Sequence, residues 1–91
     1  MNLCSFRSRV EAELEMKEVY DRTLEALPKS CWSTLIDRQV EWQQATGRTC
    51  LQRSNEEVEV SPGLTFTSCE AAAMERRTAL LSTITSCRSI R

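Results

Sequence analysis

The sequence predicts an all-α fold, a small antiparallel three-helix hairpin or bundle stapled by disulfides. Four of its five cysteines, Cys31, Cys50, Cys69 and Cys87, stand 19, 19 and 18 residues apart. A helix of that length spans roughly 28 Å at ~1.5 Å per residue. Antiparallel helices therefore bring Cys31 near Cys87 at one end and Cys50 near Cys69 at the other. Apolar residues recur with a helical period in three separate stretches. The chain is also short, with 91 residues and only Phe6, Tyr20, Trp32, Trp42 and Phe66 as aromatics. A core that small is marginal, and cross-links are the usual remedy.

The organisation read from these signals is a flexible segment over 1–7 and a single helical domain over 8–88. Its helices span about 8–27, 30–50 and 68–87, with a loop over 53–66. Ser8 and Glu11 have the spacing of a capping box at the start of helix one. Val10, Leu14, Met16, Val19, Tyr20, Leu24 and Leu27 then form its apolar stripe. Pro28 stops it, because proline disfavours the helical conformation of the residue before it. Helix two starts near Ser30 and carries Trp32, Leu35, Ile36, Gln39, Val40 and Trp42. It ends at Gly47, a common helix terminator, or runs on through Cys50 and Leu51. The polar stretch after it holds Glu56, Glu57 and Glu59 and closes on Ser61-Pro62-Gly63. Val58 and Val60 alternate there, but an isolated extended segment is marginal. Thr67-Ser68-Cys69-Glu70 has the form of a second capping box, opening helix three through Met74, Leu80, Leu81 and Ile84 to about Cys87. The even cysteine spacing is not accompanied by an internal sequence repeat.

Composition excludes several function classes. A net charge of −1, with ten arginines spread along the chain, lacks the basic surface of a nucleic-acid binder. No run approaches the ~20 apolar residues of a membrane-spanning helix. Met1-Asn2-Leu3-Cys4 is too short and polar for a signal peptide. If the cysteines are bridged, this is best explained by a mature form carrying an added start methionine. Histidine is absent, so triads of the Ser-His-Asp and Cys-His kinds are excluded. Gly47 and Gly63 are the only glycines, too few for a phosphate-cradling loop. Glu11, Glu13, Glu15 and Glu18 read as a solvated helix face rather than paired acid–base carboxylates. Zinc-binding cysteines come in close pairs, whereas none here is nearer than 18 residues to the next. The expectation is a protein that is not an enzyme and holds no cofactor or metal. Cys4 is the odd cysteine, read as a free or variably paired thiol.

Three segments resemble the lysozyme-inhibitor LprI-type domain of exported bacterial proteins. Glu13 to Tyr20, followed by Leu24 and Leu27, is similar to that family's acidic–x–x–Leu-Asn–x–x–Tyr segment. Gln39–x–x–Trp42 precedes Cys50 by the family's spacing, and Arg77 and Leu81 follow Cys69 in register. The match covers roughly residues 4–85. Met16-Lys17 stand where the family prefers Leu-Asn, Thr46-Gly47 replace its Arg-Asp, and Met74 replaces a common threonine. Cys50 and Cys69 coincide with the family's own pair. Cys31 and Cys87 fall outside its pattern and read as an added staple. Tyr20, Trp42 and Arg77 are read as structural core, with Arg77 pairing with Glu41 or Glu13.

The resemblance implies a periplasmic or secreted helical domain, in a family of which some members block lysozyme, and the expected protein partner is a peptidoglycan-cleaving hydrolase, a lysozyme or, in an immunity version of the same idea, a competitor's muramidase toxin. The expected binding surface is the loop from Asn55 to Phe66, held at its base by Cys50–Cys69. There Glu56, Glu57 and Glu59 would meet a basic enzyme surface, with Leu64 and Phe66 as apolar anchors. The competing reading of that loop is a merely solvated acidic connection. Two other functions compete: an envelope structural or interaction module without a hydrolase target, and a cytoplasmic thiol redox sensor.

Overall fold

Both prolines stand at helix boundaries, Pro28 after α1 and Pro62 at the start of α3. In the computed structural model, the backbone is described for residues 3–56 and 62–91, and side chains for 8–56 and 65–91. Helix α1 runs from Leu3 to Ala26. Leu27 closes its last turn by donating its backbone N–H to the Leu24 carbonyl (3.1 Å), and Pro28 is extended with ψ 141°. A 3₁₀ turn over Lys29–Cys31 leads into α2, Trp32–Glu56, and α3 spans Pro62–Leu81. A second 3₁₀ turn covers Cys87–Ser89. The all-α architecture and the stop at Pro28 agree with the expectation. Among the described residues, no helix is long and apolar enough to cross a membrane.

Several boundaries differ. Helix α1 begins at Leu3, so Ser8 lies inside it rather than capping it; nothing from Leu3 to Arg7 breaks a helix. Gly47 does not end α2. It sits mid-helix, with no atom within 4 Å of where a Cβ would stand, and α2 continues to Glu56. Pro62 opens α3 instead of closing a loop, since proline is tolerated in the first helical turn, where its missing amide is not needed. Thr67 to Glu70 are therefore interior, and residues 53–56 and 62–66 of the predicted loop are helical, while 57–61 lie outside the described residues. The Val58–Val60 segment lies outside the described residues.

Helix α3 stops at Leu81, short of Cys87. The Ser82 hydroxyl donates to the Thr78 carbonyl (3.0 Å) and that of Thr83 to the Leu80 carbonyl (2.6 Å). Side chains that compete in this way for the last helical carbonyls favour an ending. Ser86 and Ser89 then cap the second 3₁₀ turn reciprocally.

Cross-helix pairs give the topology. Arg9 meets Glu70 and Thr23 meets the Leu81 carbonyl, so α1 and α3 run parallel. Gln39 meets Arg77 and Cys50 is bonded to Cys69, so α2 runs antiparallel to both. Helix α3 packs on each of the others, and α1 and α2 meet through side chains, Gln39 Nε2 donating to Met16 Sδ (3.7 Å). Both expected disulfides are present: Cys31–Cys87, with Cα atoms 5.8 Å apart, and Cys50–Cys69, with Cα atoms 5.5 Å apart. Such bonds persist in oxidising compartments. The main core lies at the Cys31–Cys87 end, where Val19, Leu27, Leu35, Leu81 and Ile84 are buried. Toward the other end, the small side chains Ala12, Ala71 and Ala73 are buried.

Candidate functional site

A groove lies between α1 and α2, with Gln39 Nε2 of α2 donating to Met16 Sδ of α1 (3.7 Å). A cavity of about 200 Å³ lies in it. Met16 and Tyr20 of α1, Gln39, Trp42 and Gln43 of α2, and Met74 of α3 line it, together with the charged Arg9, Glu13, Lys17 and Glu70. Helical spacing explains the set: Met16 and Tyr20 are one turn apart, as are Gln39 and Gln43, so each pair shares a face.

Beneath this cavity lies Arg77, only 6 % exposed. Its Nε donates to Gln39 Oε1 (2.9 Å) and its Nη1 to the main-chain oxygen of Arg91 (2.8 Å). The guanidinium carbon lies 5.9 Å from the centre of the Trp42 ring, a cation–π distance. Nη2 is buried and has no hydrogen-bond partner among the described residues. Burial lowers the pKa of this guanidinium, and the Tyr20 phenol partly offsets the effect. Burial likewise raises the Tyr20 pKa; Asp21 adds to the rise and Arg77 opposes it.

The expected pairing of Arg77 with Glu41 or Glu13 is not what forms. Glu41 pairs with Arg38 on the outer face of α2 (3.2 Å), and Glu13 pairs with Arg9 (3.1 Å). Arg9 also reaches Glu70 at 2.8 Å, and that hydrogen bond is the main reason its pKa is raised. Tyr20 and Trp42 are half-buried at the cavity wall, so both serve the core while presenting surface to the groove.

The residues assigned to partner binding do not form one loop. Glu56 is the exposed last residue of α2 and accepts a hydrogen bond from Gln52 (3.2 Å). Phe66 is half-buried within α3. Leu64 also belongs to α3, its side chain outside the described set, and Glu57 and Glu59 lie outside the described residues altogether.

Sequence reasoning missed the groove itself and the Arg9–Glu13–Glu70 cluster beside it. The Gln39–x–x–Trp42 spacing was the available signal for one wall. Among the described residues, no three histidine, cysteine, aspartate or glutamate side chains are grouped to hold a metal ion. Comparison with family models finds no match to this chain, and comparison with curated proteins and with solved structures likewise finds none.

Proposed function

We propose that this chain is an exported, disulfide-stapled helical binding protein that blocks a peptidoglycan-cleaving hydrolase, either a lysozyme or a competitor's muramidase in an immunity role. The observation that carries the reading is a convergence. Tyr20, Gln39, Trp42 and Arg77, on which the family resemblance rests, come from three helices and meet around one point. The resembling pair, Cys50 and Cys69, is bonded. The same side chains thus have a shared architectural reason to recur together at those spacings. The two bonds favour the periplasm or the exterior of the cell.

Inhibition of this kind needs a protrusion that fills a sugar-binding cleft or covers its catalytic acid. The α2–α3 end is the candidate. Cys50–Cys69 ties the two helices together a short way from the 57–61 connection, which reduces the ordering entropy lost on binding. Glu56, at the end of α2, supplies negative charge toward a basic enzyme.

The test is the loss of turbidity of a cell-wall suspension under a panel of lysozymes and muramidase toxins. Micromolar protein is expected to protect against at least one of them, and charge reversal at Glu56, Glu57 and Glu59 to weaken that protection with helicity unchanged. Absence of protection across the panel would leave the structural module as the better account.

A further inference from the structure

Three large apolar side chains of α2 stay exposed: Ile36 at 42 %, Val40 at 46 % and Leu51 at 55 %. With Gly47 they stand at i, i+4, i+11 and i+15. At 3.6 residues per turn, all four fall within about 60° of one another and form one strip about 22 Å long. No charged residue stands on it, and Asp37, Arg38, Glu41 and Arg48 all lie along one flank. Gly47 is an independent second observation. Glycine inside a helix is less stable than alanine, and it is the residue used where another group must come close. This chain makes no use of it: a Cβ there would meet nothing within 4 Å, and the backbone is not left-handed.

The pattern is complementary to itself. Two antiparallel copies of α2 that cross between Gln43 and Gln44 set Ile36 of one against Leu51 of the other, and Val40 against Gly47. Each of these contacts occurs twice, as a two-fold interface requires. The same symmetry places each flank of α2 against its own copy. Asp37 then lies two residues, ~3 Å, from the level of Arg48 in the second copy. Both side chains are exposed, and neither has an ion pair among the described residues, whereas Arg38 and Glu41 on the same flank are already joined (3.2 Å). A parallel pair in register would instead oppose Asp37 to Asp37 and Arg48 to Arg48. We propose that α2 is the self-association surface of this protein: two copies pair antiparallel along Ile36, Val40, Gly47 and Leu51, flanked by reciprocal Asp37–Arg48 ion pairs. One helix face is small beside the ~1,200–2,000 Å² of a standard interface, so the dimer is weak, with a dissociation constant on the order of 100 μM. The proposal rests on α2 alone and not on the hydrolase reading, which concerns the α2–α3 end, and the two tests fail independently.

The experiment is sedimentation velocity on the disulfide-bonded protein, carrying Cys4→Ser so that no covalent bond between copies contributes. The mass should rise from one chain toward two between ~10 μM and ~1 mM. Gly47→Gln should weaken pairing at least about tenfold, because it fills the place taken by Val40 of the second copy. In dilute protein the same variant should unfold at no lower temperature than the parent, since its side chain enters open space and glutamine is the better helix former. Val40→Asp should weaken pairing about as much. Asp37→Arg should weaken it about fivefold, the scale of two exposed ion pairs lost, and Asp37→Arg/Arg48→Asp should return it to within about twofold of the parent. Asp37, Val40 and Arg48 are exposed, so far-UV circular dichroism of these variants should match the parent. A single-chain mass up to ~1 mM, pairing indifferent to Gly47→Gln, or pairing that the charge exchange fails to restore would each overturn the assignment.

Discussion

Replacing the two disulfides one pair at a time should cost unequal amounts, with the outer pair costing more. The bonds close loops of very different length, with sequence separations of 56 for Cys31–Cys87 and 19 for Cys50–Cys69. Loop-closure entropy in the unfolded chain then gives about 4 kcal/mol for the outer bond and about 3 kcal/mol for the inner one. A chain of 91 residues has a net stability of roughly 5–13 kcal/mol at ~0.05–0.15 kcal/mol per residue. Either loss is thus a large fraction of the whole. The measurement is guanidinium unfolding followed by far-UV circular dichroism on the Cys31→Ala/Cys87→Ala and Cys50→Ala/Cys69→Ala variants. Each midpoint should fall by about 1 M, further for the outer pair. The two losses should not add, because the inner loop lies within the outer one. Amide exchange should separate them spatially as well. Without the outer bond, residues 83–91 lose the tie that holds Arg91 over Arg77, and they should exchange early. Unchanged midpoints, or a larger loss for the inner pair, would refute the reasoning.

Other substitutions test the packing and the site. Leu35 has no exposed surface, and Leu35→Ala should cost about 2–5 kcal/mol in the same unfolding assay. Gly47 lies mid-helix with open space around its Cα, so Gly47→Ala should stabilise by about 0.5–1 kcal/mol. Tyr20 is the only tyrosine, and ultraviolet titration should find its midpoint above the ordinary ~10 because burial disfavours the phenolate. Above pH ~10 the folded chain then binds more protons than the unfolded one, so stability should be level below that pH and fall as pH rises past it. Arg77→Met removes the charge that opposes this shift and should raise the Tyr20 midpoint further. Thiol counting under denaturing, non-reducing conditions should find no more than one free cysteine per chain, because Cys31, Cys50, Cys69 and Cys87 are bonded.

Helix number, helix type and both cysteine pairings were legible because each stems from a local period or a length. Cys31 to Cys50 is one helix length, so the ladder reported antiparallel geometry directly. Helix ends were less legible. Ser8 with Glu11, and Thr67 with Glu70, match a capping box, but the same spacing also occurs on a helix surface, and only tertiary context tells the two apart. Pro62 read as a stop because proline punctuates both ends of helices, while its tolerance at a first turn depends on whether the residues after it hold a helix. The partners of Arg77 were beyond reach for a different reason. Gln39 reaches it through the antiparallel register of α2 on α3, and Arg91 through the turns after Leu81, neither of which any periodicity encodes. Arg9 and Glu70, 61 residues apart, are a pair of the same kind.

The nesting of the two bonds has a consequence for survival among proteases. Cys50–Cys69 lies wholly inside the segment closed by Cys31–Cys87. A single peptide cut anywhere between Cys31 and Cys87, including within the 57–61 connection, therefore releases no fragment, since each side of the cut still holds one end of an intact bond. The nicked protein would keep all three helices on one covalent frame, and a second cut would be needed before any piece could leave.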